Sequence, residues 1–305
     1  MNLDASNAAL IGIDWGTSSL RGYLIDSRGT VLDTLYAPDG IMQIPGKEFE
    51  VALLRLLEPW HKFHELPVIA SGMITSRNGW METPYLTVPS NASHLAGSLE
   101  TQRTSSGMDV HFVTGLTIEH DGAPDVMRGE ETQIVGVVEM GLTEGVVVMP
   151  GTHSKWVTLK NGYIEDFATF MSGEIFAALS DHTILGALMK ESEFQLSGFH
   201  QGVAAGYKAG TQILHTLFHV RTLPLFDLIA EDEVSDYLSG VLIGAEIRGA
   251  TDRGVGTNQV TVVGQDSLVE RYIRAFEYLQ IKVTVAEDDI VARGHFSIAK
   301  SAGLV

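Results

Sequence analysis

Two segments of small residues carry the side-chain types that bind phosphate and divalent metals. In the first, residues 11–21 read Ile-Gly-Ile-Asp-Trp-Gly-Thr-Ser-Ser-Leu-Arg, so Asp14 ends an apolar strand and Gly16, Thr17 and Ser18 form a turn after it. A carboxylate there can hold Mg²⁺, and backbone N–H groups in such a turn bind phosphate oxygens. The segment favours phosphoryl chemistry, although an ordinary polar hairpin has the same short pattern.

The second segment repeats this arrangement in the other half of the chain. Residues 149–156 read Met-Pro-Gly-Thr-His-Ser-Lys-Trp, with Gly151 and Thr152 at the turn and Lys155 available as a point charge. Alone it reads as an ordinary turn. Two such turns at corresponding places in two halves predict that one polyphosphate is held from both sides of a cleft.

A pair of acidic residues begins the helix that precedes the second turn. The residues are Arg128-Gly129-Glu130-Glu131. Acidic side chains in a first helical turn commonly serve the helix dipole. The alternative is that Glu130 or Glu131 is a general base for a substrate hydroxyl, with Arg128 available for a substrate carboxylate.

Two further places have side chains suited to a ligand. Gly264 lies at a strand–Gly–helix junction, where a flat base or ribose can approach the backbone closely. A Gly-punctuated loop carries the polar and aromatic side chains Ser76, Arg77, Asn78 and Trp80. Such a loop suits a polyol or a carboxylate, and equally a structural loop with a packed Trp.

Composition excludes several function classes. The 305 residues contain 20 Lys+Arg against 38 Asp+Glu, a net charge of −18, and no Cys. We therefore expect no nucleic-acid partner, no disulfide and no thiolate chemistry. With no run of about 18 apolar residues and no signal-peptide pattern, we expect no membrane partner and a cytoplasmic location.

The predicted strands around the two loops follow the same order in both halves of the chain. Strands are predicted over residues 8–14 and 20–25 and from Val31, and again over residues 146–149, 155–159 and 163–167, the last two joined by Asn161-Gly162. Helices are predicted over residues 48–57, 173–180, 202–220, 233–248 and 267–278. The repeat predicts two α/β domains, 1–139 and 140–305.

Taken together, these motifs resemble those of the sugar kinase/actin/Hsp70 superfamily. Within it the chain resembles the 2-dehydro-3-deoxygalactonokinases, most specifically in the run Pro-Gly-Thr-His-Ser-Lys-Trp at residues 150–156. This resemblance implies two ribonuclease-H-like (actin-like ATPase) domains with ATP and Mg²⁺ in an interdomain cleft. It also implies transfer of the γ-phosphoryl group to the C6 hydroxyl of 2-dehydro-3-deoxy-D-galactonate.

The resemblance assigns roles to individual residues. Phosphate binding is expected at Gly16, Thr17, Ser18, Gly151 and Thr152, metal binding at Asp14, adenosine binding at Gly264, and the catalytic carboxylate at Glu130 or Glu131. The sugar-acid residues are expected from side-chain chemistry rather than from the resemblance: Arg77 or Arg128 for the carboxylate, with Ser76, Asn78 and Trp80 around the polyol. The second loop departs from the superfamily pattern, because Met149-Pro150 replaces its Asp, and we expect Lys155 to compensate electrostatically.

Two other functions on the same fold stay open at this point. An exopolyphosphatase-like phosphohydrolase would share the Gly-Glu-Glu helix and release phosphate without a sugar. An actin-like, nucleotide-gated scaffold would use the loops only to change conformation. The sugar-acid loop with Arg77 and Trp80 favours the kinase, and the residues leave the oligomeric state open, a homodimer being one option.

Overall fold

Apolar runs that end in polar turns form most of the strands. The computed structural model describes residues 7–190, 192–264, 267–286 and 289–305. The strands are β1 (Ala8–Trp15), β2 (Leu20–Asp26), β3 (Val31–Ala37), β4 (Val68–Ser71), β5 (Tyr85–Thr87), β6 (Glu100–Arg103), β7 (Asp109–Phe112), β8 (Gly115–His120), β9 (Ala123–Met127), β10 (Gly145–Met149), β11 (Ser154–Lys160), β12 (Tyr163–Phe170), β13 (Gln259–Val262) and β14 (Lys282–Val285). The helices are α1 (Phe49–Leu57), α2 (Ala92–Ala96), α3 (Glu130–Glu139), α4 (Ser172–His182), α5 (Leu196–Ala209), α6 (Ile213–Leu217), α7 (His219–Leu225), α8 (Val234–Asp252), α9 (Ser267–Tyr278) and α10 (Ile290–Ser301).

Contacts within the chain group these elements into two units. Unit 1 comprises Met1–Glu144, Leu159–Asp166 and Glu287–Val305, and unit 2 comprises Gly145–Thr158 and Phe167–Ala286. The predicted division into 1–139 and 140–305 differs from this grouping chiefly at the C-terminus. Helix α10 belongs to unit 1 because it packs against α3 and α2 of that unit.

Unit 1 contains a six-stranded sheet in the order β3-β2-β1-β4-β7-β6. β1 pairs antiparallel with β2 and parallel with β4, and in these registers Asp14 lies opposite Arg21 on one side and Ser71 on the other. Apolar residues of this sheet, including the fully buried Ile13 and Phe112, pack with α1 to form the core. Asp14 is thereby fixed at the carboxyl end of a buried strand.

Strand order repeats in the second sheet, β12-β11-β10-β13-β14, which matches the order β3-β2-β1-β4-β7 in unit 1. β13 pairs parallel with both β10 and β14. The two-residue turn Asn161-Gly162 joins β11 and β12 with positive φ at both residues, as a type I′ hairpin requires. The predicted duplication of an α/β fold is confirmed.

One helical prediction needs correction, and one helix was missed. The predicted continuous helix 202–220 is wrong, because α5 ends at Ala209 and Gly210 takes φ 51° and ψ −124°, outside the helical region. The shorter helices α6 and α7 follow. Helix α10 was not predicted at all. No helix within the described residues has the length and apolar character needed to cross a membrane.

Candidate functional site

The first phosphate-loop candidate is a tight turn between β1 and β2. The N–H of Gly16 donates to the carbonyl of Ser19 over 2.9 Å, which closes the turn. The N–H of Ile41 donates to the Gly16 carbonyl over 3.0 Å, so the segment after β3 fixes the turn from outside. Thr17 and Ser18 stay exposed, with their polar groups accessible to a ligand.

Asp14 lies where three backbone segments of unit 1 converge. Gly72, after β4, has φ 96°, and a Cβ there would lie 2.7 Å from the carbonyl oxygen of Trp15. Gly129, before α3, has φ 107°, and a Cβ there would lie 3.0 Å from the Cα of Gly72. Only glycine tolerates both the conformation and the approach. The two glycines let the start of α3 reach the end of β1, and so bring Glu130 towards Asp14.

The pKa of Asp14 reflects the approach of these segments. The carboxyl group is half-buried, and burial raises its pKa. The charge of Arg21 opposes that rise, whereas the charge of Glu130 adds to it. Two like charges close together favour a bound cation, and carboxylate oxygens suit Mg²⁺, so the donor chemistry fits this ion. Among the described residues, no three His, Cys, Asp or Glu side chains form a metal-binding group.

The two candidate bases differ in accessibility. Glu131 is 0% exposed; its Oε2 accepts from the Gly129 N–H over 2.6 Å and its Oε1 from the Thr132 hydroxyl over 3.1 Å. Burial raises the pKa of Glu131 to about 8, and the charge of Glu130 adds to this rise. Glu130 is only half-buried, and its Oε2 accepts from the Arg128 N–H over 2.9 Å. Of the pair, Glu130 is the carboxylate that a ligand can reach.

Arg128 clamps the loop of predicted sugar-acid residues. Its Nη1 donates to the carbonyl and hydroxyl of Thr75, at 2.6 and 2.7 Å, and to the hydroxyl of Thr83 at 2.7 Å. Its Nη2 donates to the Thr83 carbonyl over 3.1 Å, and the guanidinium stacks 4.3 Å from the ring centre of Tyr85. Most of its donors therefore bind the protein itself.

The other predicted sugar-acid residues divide into exposed and anchored side chains. Arg77 and Asn78 are exposed at the tip of the loop. The Ser76 hydroxyl donates to the Met73 carbonyl over 2.7 Å, and Trp80 packs edge-on against Phe112, with ring centres 5.5 Å apart. The loop is thus held at both ends while its tip remains accessible.

The second phosphate-loop candidate rests on the start of α4. The N–H of Glu174 donates to the Thr152 carbonyl over 3.0 Å. A Cβ at Gly173 would lie 2.4 Å from the Gly151 carbonyl oxygen, so glycine is required for this contact. His153 Nε2 lies 2.6 Å from Glu174 Oε2. The loop and the helix N-terminus, both suited to an anion, are therefore adjacent.

Unit 2 contains a cavity of about 320 Å³ at this loop. Its walls combine the loop, the first turn of α4, and side chains of α8 and α9; they include Gly151, Thr152, Ser172, Phe176, Leu242 and Tyr272. An apolar cavity with a few polar groups at one end suits a flat heterocycle attached to an anionic group.

Lys155 and Gly264 are the other two residues of unit 2 that were predicted to bind the nucleotide. Lys155 is buried on β11, so its ammonium group is not presented on the surface beside the loop. Gly264 follows β13 with φ 123°, a conformation that favours glycine. Its neighbours Gln265 and Asp266, part of the same predicted motif, lie outside the described residues.

Sequence reasoning missed two buried polar groups behind these loops. Glu246 on α8 accepts from Trp156 Nε1 and from the Tyr272 hydroxyl, and His295 on α10 lies 2.9 Å from the Ser71 hydroxyl. Each partner is distant in sequence. The available signal was helical spacing, because Glu246 lies three and four residues after the buried Ile243 and Leu242, and His295 lies three residues before the buried Ile298.

These features define a class of protein. The duplicated strand order and the loop after the first strand of each half are those of the actin-like ATPase fold shared by sugar kinases. A solved structure with that fold, the activator of 2-hydroxyisocaproyl-CoA dehydratase from Clostridium difficile with bound ADPNP, matches with a TM-score of 0.52 at 13% identity, covering 96% of each chain. That likeness concerns the fold alone.

A family sequence model described as 2-keto-3-deoxy-galactonokinase matches residues 14–298, and the chain belongs to this family of carbohydrate kinases. The 2-dehydro-3-deoxygalactonokinase of Escherichia coli K12 is 36% identical over 96% of this chain and 98% of its own length. A crystal structure from Sinorhizobium meliloti, described as a candidate 2-dehydro-3-deoxygalactonokinase, is 33% identical with a TM-score of 0.89, covering 95% of this chain and 98% of that one. Members of a kinase family use ATP as co-substrate and typically a divalent metal.

Proposed function

We propose that the protein transfers the γ-phosphoryl group of ATP to the C6 hydroxyl of 2-dehydro-3-deoxy-D-galactonate, giving 2-dehydro-3-deoxy-6-phosphogalactonate. Family membership across nearly the whole chain favours this reaction over phosphohydrolysis or a nucleotide-gated scaffold. The observation that carries the proposal is the convergence of Asp14 and Glu130 at Gly72 and Gly129. A metal-binding carboxylate and an accessible base are what phosphoryl transfer to an alcohol requires.

The cavity of unit 2 is the proposed nucleotide site. Its apolar walls, Phe176, Leu242 and Tyr272, suit the adenine ring, and the adjacent loop at Gly151 and Thr152 would bind phosphate oxygens through backbone N–H groups. Gly264 would allow close approach of the nucleoside. The N-terminus of α4 adds the positive end of a helix dipole.

Asp14, with Glu130 nearby, is the proposed Mg²⁺ ligand. Mg²⁺ is commonly bound by one or two carboxylates plus substrate phosphates, which fits the small number of acidic groups at this place. When bound, the ion would neutralise the charge that develops on the phosphates. Gly16, Thr17 and Ser18 would bind phosphate oxygens from the same unit.

The proposed base is Glu130. Its carboxylate would accept the proton of the C6 hydroxyl as that oxygen attacks the γ-phosphorus. Because the transition state of phosphoryl transfer is loose, positioning and charge stabilisation contribute more than covalent chemistry. Glu131, buried against its own helix start, would hold Glu130 in place rather than touch substrate.

The loop tip is the proposed sugar-acid site. Arg77 is the exposed cation suited to the substrate carboxylate, with Asn78 beside it for hydroxyl groups. Ser76 and Trp80 shape the loop. Arg128 would act mainly through its clamp on Thr75 and Thr83.

A coupled ADP-release assay tests the proposed reaction. We expect ADP only when ATP, Mg²⁺ and the sugar acid are all present, with the galactonate-derived acid preferred over its gluconate-derived epimer. Removing Mg²⁺ with EDTA should abolish turnover. Equal ADP release without any sugar acid would instead indicate a phosphohydrolase, and nucleotide binding without turnover on any acid would indicate a scaffold.

The proposed setting is a cytoplasmic homodimer. ATP as co-substrate and the absence of cysteine support the cytoplasm.

The dimer is supported by an apolar face on α6 and α7 of unit 2. These helices are separated only by Phe218, whose backbone is itself helical, so Leu214, Phe218 and Leu225 lie on one side.

The area of this face approaches what a dimer needs. Leu214, Phe218 and Leu225, with Phe226 and Leu228 after the helix, are between 56% and 82% exposed. At about 200 Å² for each large side chain, they would bury roughly 650 Å² per protomer, against about 800 Å² in a standard interface. A two-fold axis would place this face against its own copy.

Sedimentation velocity tests the dimer. We expect the wild-type chain to be dimeric at micromolar concentration and Phe218→Glu to weaken association at least about 30-fold, the loss typical of a central interface residue. Val51→Glu, an equally exposed apolar residue of unit 1, is the matched control and should remain dimeric. A monomeric wild-type chain, or a dimeric Phe218→Glu variant, contradicts the assignment.

A further inference from the structure

A buried carboxylate lies at the centre of a hydrogen-bond network in unit 2. Glu246 is 3% exposed on α8, a helix otherwise packed mainly through apolar residues. Its Oε1 accepts from Trp156 Nε1 over 2.8 Å, and its Oε2 accepts from the Tyr272 hydroxyl over 2.7 Å. The Tyr272 oxygen lies 2.8 Å from the Ser154 hydroxyl. Since the phenol proton goes to Glu246, the single proton of the Ser154 hydroxyl is left for Tyr272 or for Glu246.

The serine side chains complete the network. Ser154 and Ser172 also hydrogen-bond the carboxyl group of Glu246. Four side chains thus surround one acceptor, from β11, the first turn of α4, and α9. A carboxylate has enough lone pairs for these donors, which an amide or a hydroxyl does not.

The partners of Glu246 surround the proposed nucleotide cavity. Ser172 and Tyr272 line the cavity directly, and Ser154 comes two residues after Thr152, which also lines it. A buried carboxylate costs free energy, and burial raises the pKa of Glu246 against the effect of its donors. Three of the four donors, Ser154, Ser172 and Tyr272, therefore lie in the cavity wall or within two residues of it in sequence.

We propose that Glu246 is a positioning residue for the nucleotide, holding the second phosphate loop, the start of α4 and the Tyr272 wall in the arrangement that binds ATP. This inference rests on the proposed function, since it takes the cavity as the ATP site. Glu246 is buried behind the wall and acts through Ser154, Ser172 and Tyr272 rather than by touching ATP. Preorganised groups bind more tightly because less ordering is needed when the ligand arrives.

The variant Glu246→Gln tests the proposal. Its amide nitrogen would face either Trp156 Nε1, which can only donate, or the Tyr272 hydroxyl, which would have to reverse and donate to Ser154. The hydrogen bonds around this side chain must therefore break or rearrange. We expect the Kd of Mg-ATP, measured by titration calorimetry without sugar acid, to rise about 10- to 100-fold. The KM for ATP should rise in parallel. The KM for the sugar acid, and kcat at saturating ATP, should stay within about threefold.

The control is a buried carboxylate of unit 1. Asp26 is 2% exposed and accepts backbone N–H groups of Arg28 and Thr30 over 2.9 and 2.8 Å. Asp26→Asn should lower the stability to urea while leaving the Kd of ATP unchanged. If Glu246→Gln behaves in the same way, losing stability but not ATP affinity, the role is only structural and the proposal is overturned.

A milder variant keeps the test decisive if Glu246→Gln does not fold. Tyr272→Phe retains the ring in the cavity wall and removes the hydroxyl that links Glu246 to Ser154. We expect its Kd for ATP to rise about three- to tenfold; an unchanged Kd overturns the proposal. A wild-type chain that binds no nucleotide is a different outcome, because it overturns the proposed function itself.

Discussion

Replacing Glu130 with glutamine should lower kcat by about 10²–10⁴-fold, the usual contribution of general base catalysis. The amide has the size of the carboxylate and its oxygen can still accept the Arg128 N–H, so the start of α3 should keep its conformation. What is lost is the ability to accept the proton of the attacking hydroxyl. The measurement is ADP release at saturating ATP and sugar acid, with the Kd of ATP expected within about threefold of wild type.

Glu131→Gln is the matched control. Glu131 is adjacent in sequence and in the same helical turn, but its side chain is fully buried and cannot touch a ligand. Its loss in kcat should stay below about tenfold. A larger loss for Glu131→Gln than for Glu130→Gln would reverse the assignment. If neither variant loses more than about tenfold, the base lies elsewhere.

Helical spacing does not separate the two glutamates. Glu131 lies three and four residues before the buried Ile134 and Val135, and Glu130 lies four and seven residues before the buried Ile134 and Val137. Spacing from the neighbouring glycines does not distinguish the pair either. The burial of Glu131 and the accessibility of Glu130 depend on what packs against the start of α3, which the structure shows.

Local patterns predicted the strands and loops that hold the candidate site. The strand ending at Asp14, the second loop at Gly151 and the Asn161-Gly162 hairpin all have signals within a few residues, because period-two apolarity and turn residues act locally. The structure has the strand, the turn and the hairpin at these positions. The roles proposed for Asp14 and Gly151 stay predictions.

Contacts between distant segments were not predictable in the same way. Gly72 reads as one of several loop glycines, and only its approach to Trp15 and Gly129 shows why Asp14 and Glu130 converge. Arg128 beside a glycine and two acids reads as a substrate cation. Its hydrogen bonds to Thr75 and Thr83 depend on how a loop some fifty residues earlier folds back, which no local pattern encodes.

Two buried groups of unit 1 should give the stability a maximum between weakly acid and neutral pH. Burial raises the pKa of Glu131 from 4.5 to about 8 and lowers that of His295 from 6.5 to about 3. Folded Glu131 keeps a proton that the unfolded chain releases above about pH 4.5, so its contribution is lost as the pH rises to about 8. In the folded protein His295 stays neutral below about pH 6.5, where the unfolded chain binds a proton at this histidine. Its contribution to stability is therefore lost as the pH falls to about 3.

The hydrogen bonding of His295 explains the acid side of this profile. Its Nε2 lies 2.9 Å from the Ser71 hydroxyl. Its Nδ1 is buried with no hydrogen-bond partner among the residues that the structure describes, and it faces Gly12, where a Cβ would lie 2.6 Å away. The neutral ring leaves only a lone pair unsatisfied at Nδ1. Protonation would bury an unsatisfied N–H together with a charge, which costs far more.

Each group should change the free energy of unfolding by about 5 kcal/mol across its window, since one pKa unit corresponds to about 1.4 kcal/mol. Urea unfolding at about pH 4, 5.5, 7 and 8.5 measures this for the wild type, His295→Gln and Glu131→Gln. Because glutamine does not titrate, His295→Gln should lose less stability than wild type between about pH 6.5 and 4, and Glu131→Gln less between about pH 5.5 and 8.5. If the free energy of unfolding of a variant changes with pH in parallel with that of wild type across the pH range given for it, the replaced side chain titrates normally in the folded protein. Its burial then does not determine the pH dependence of stability.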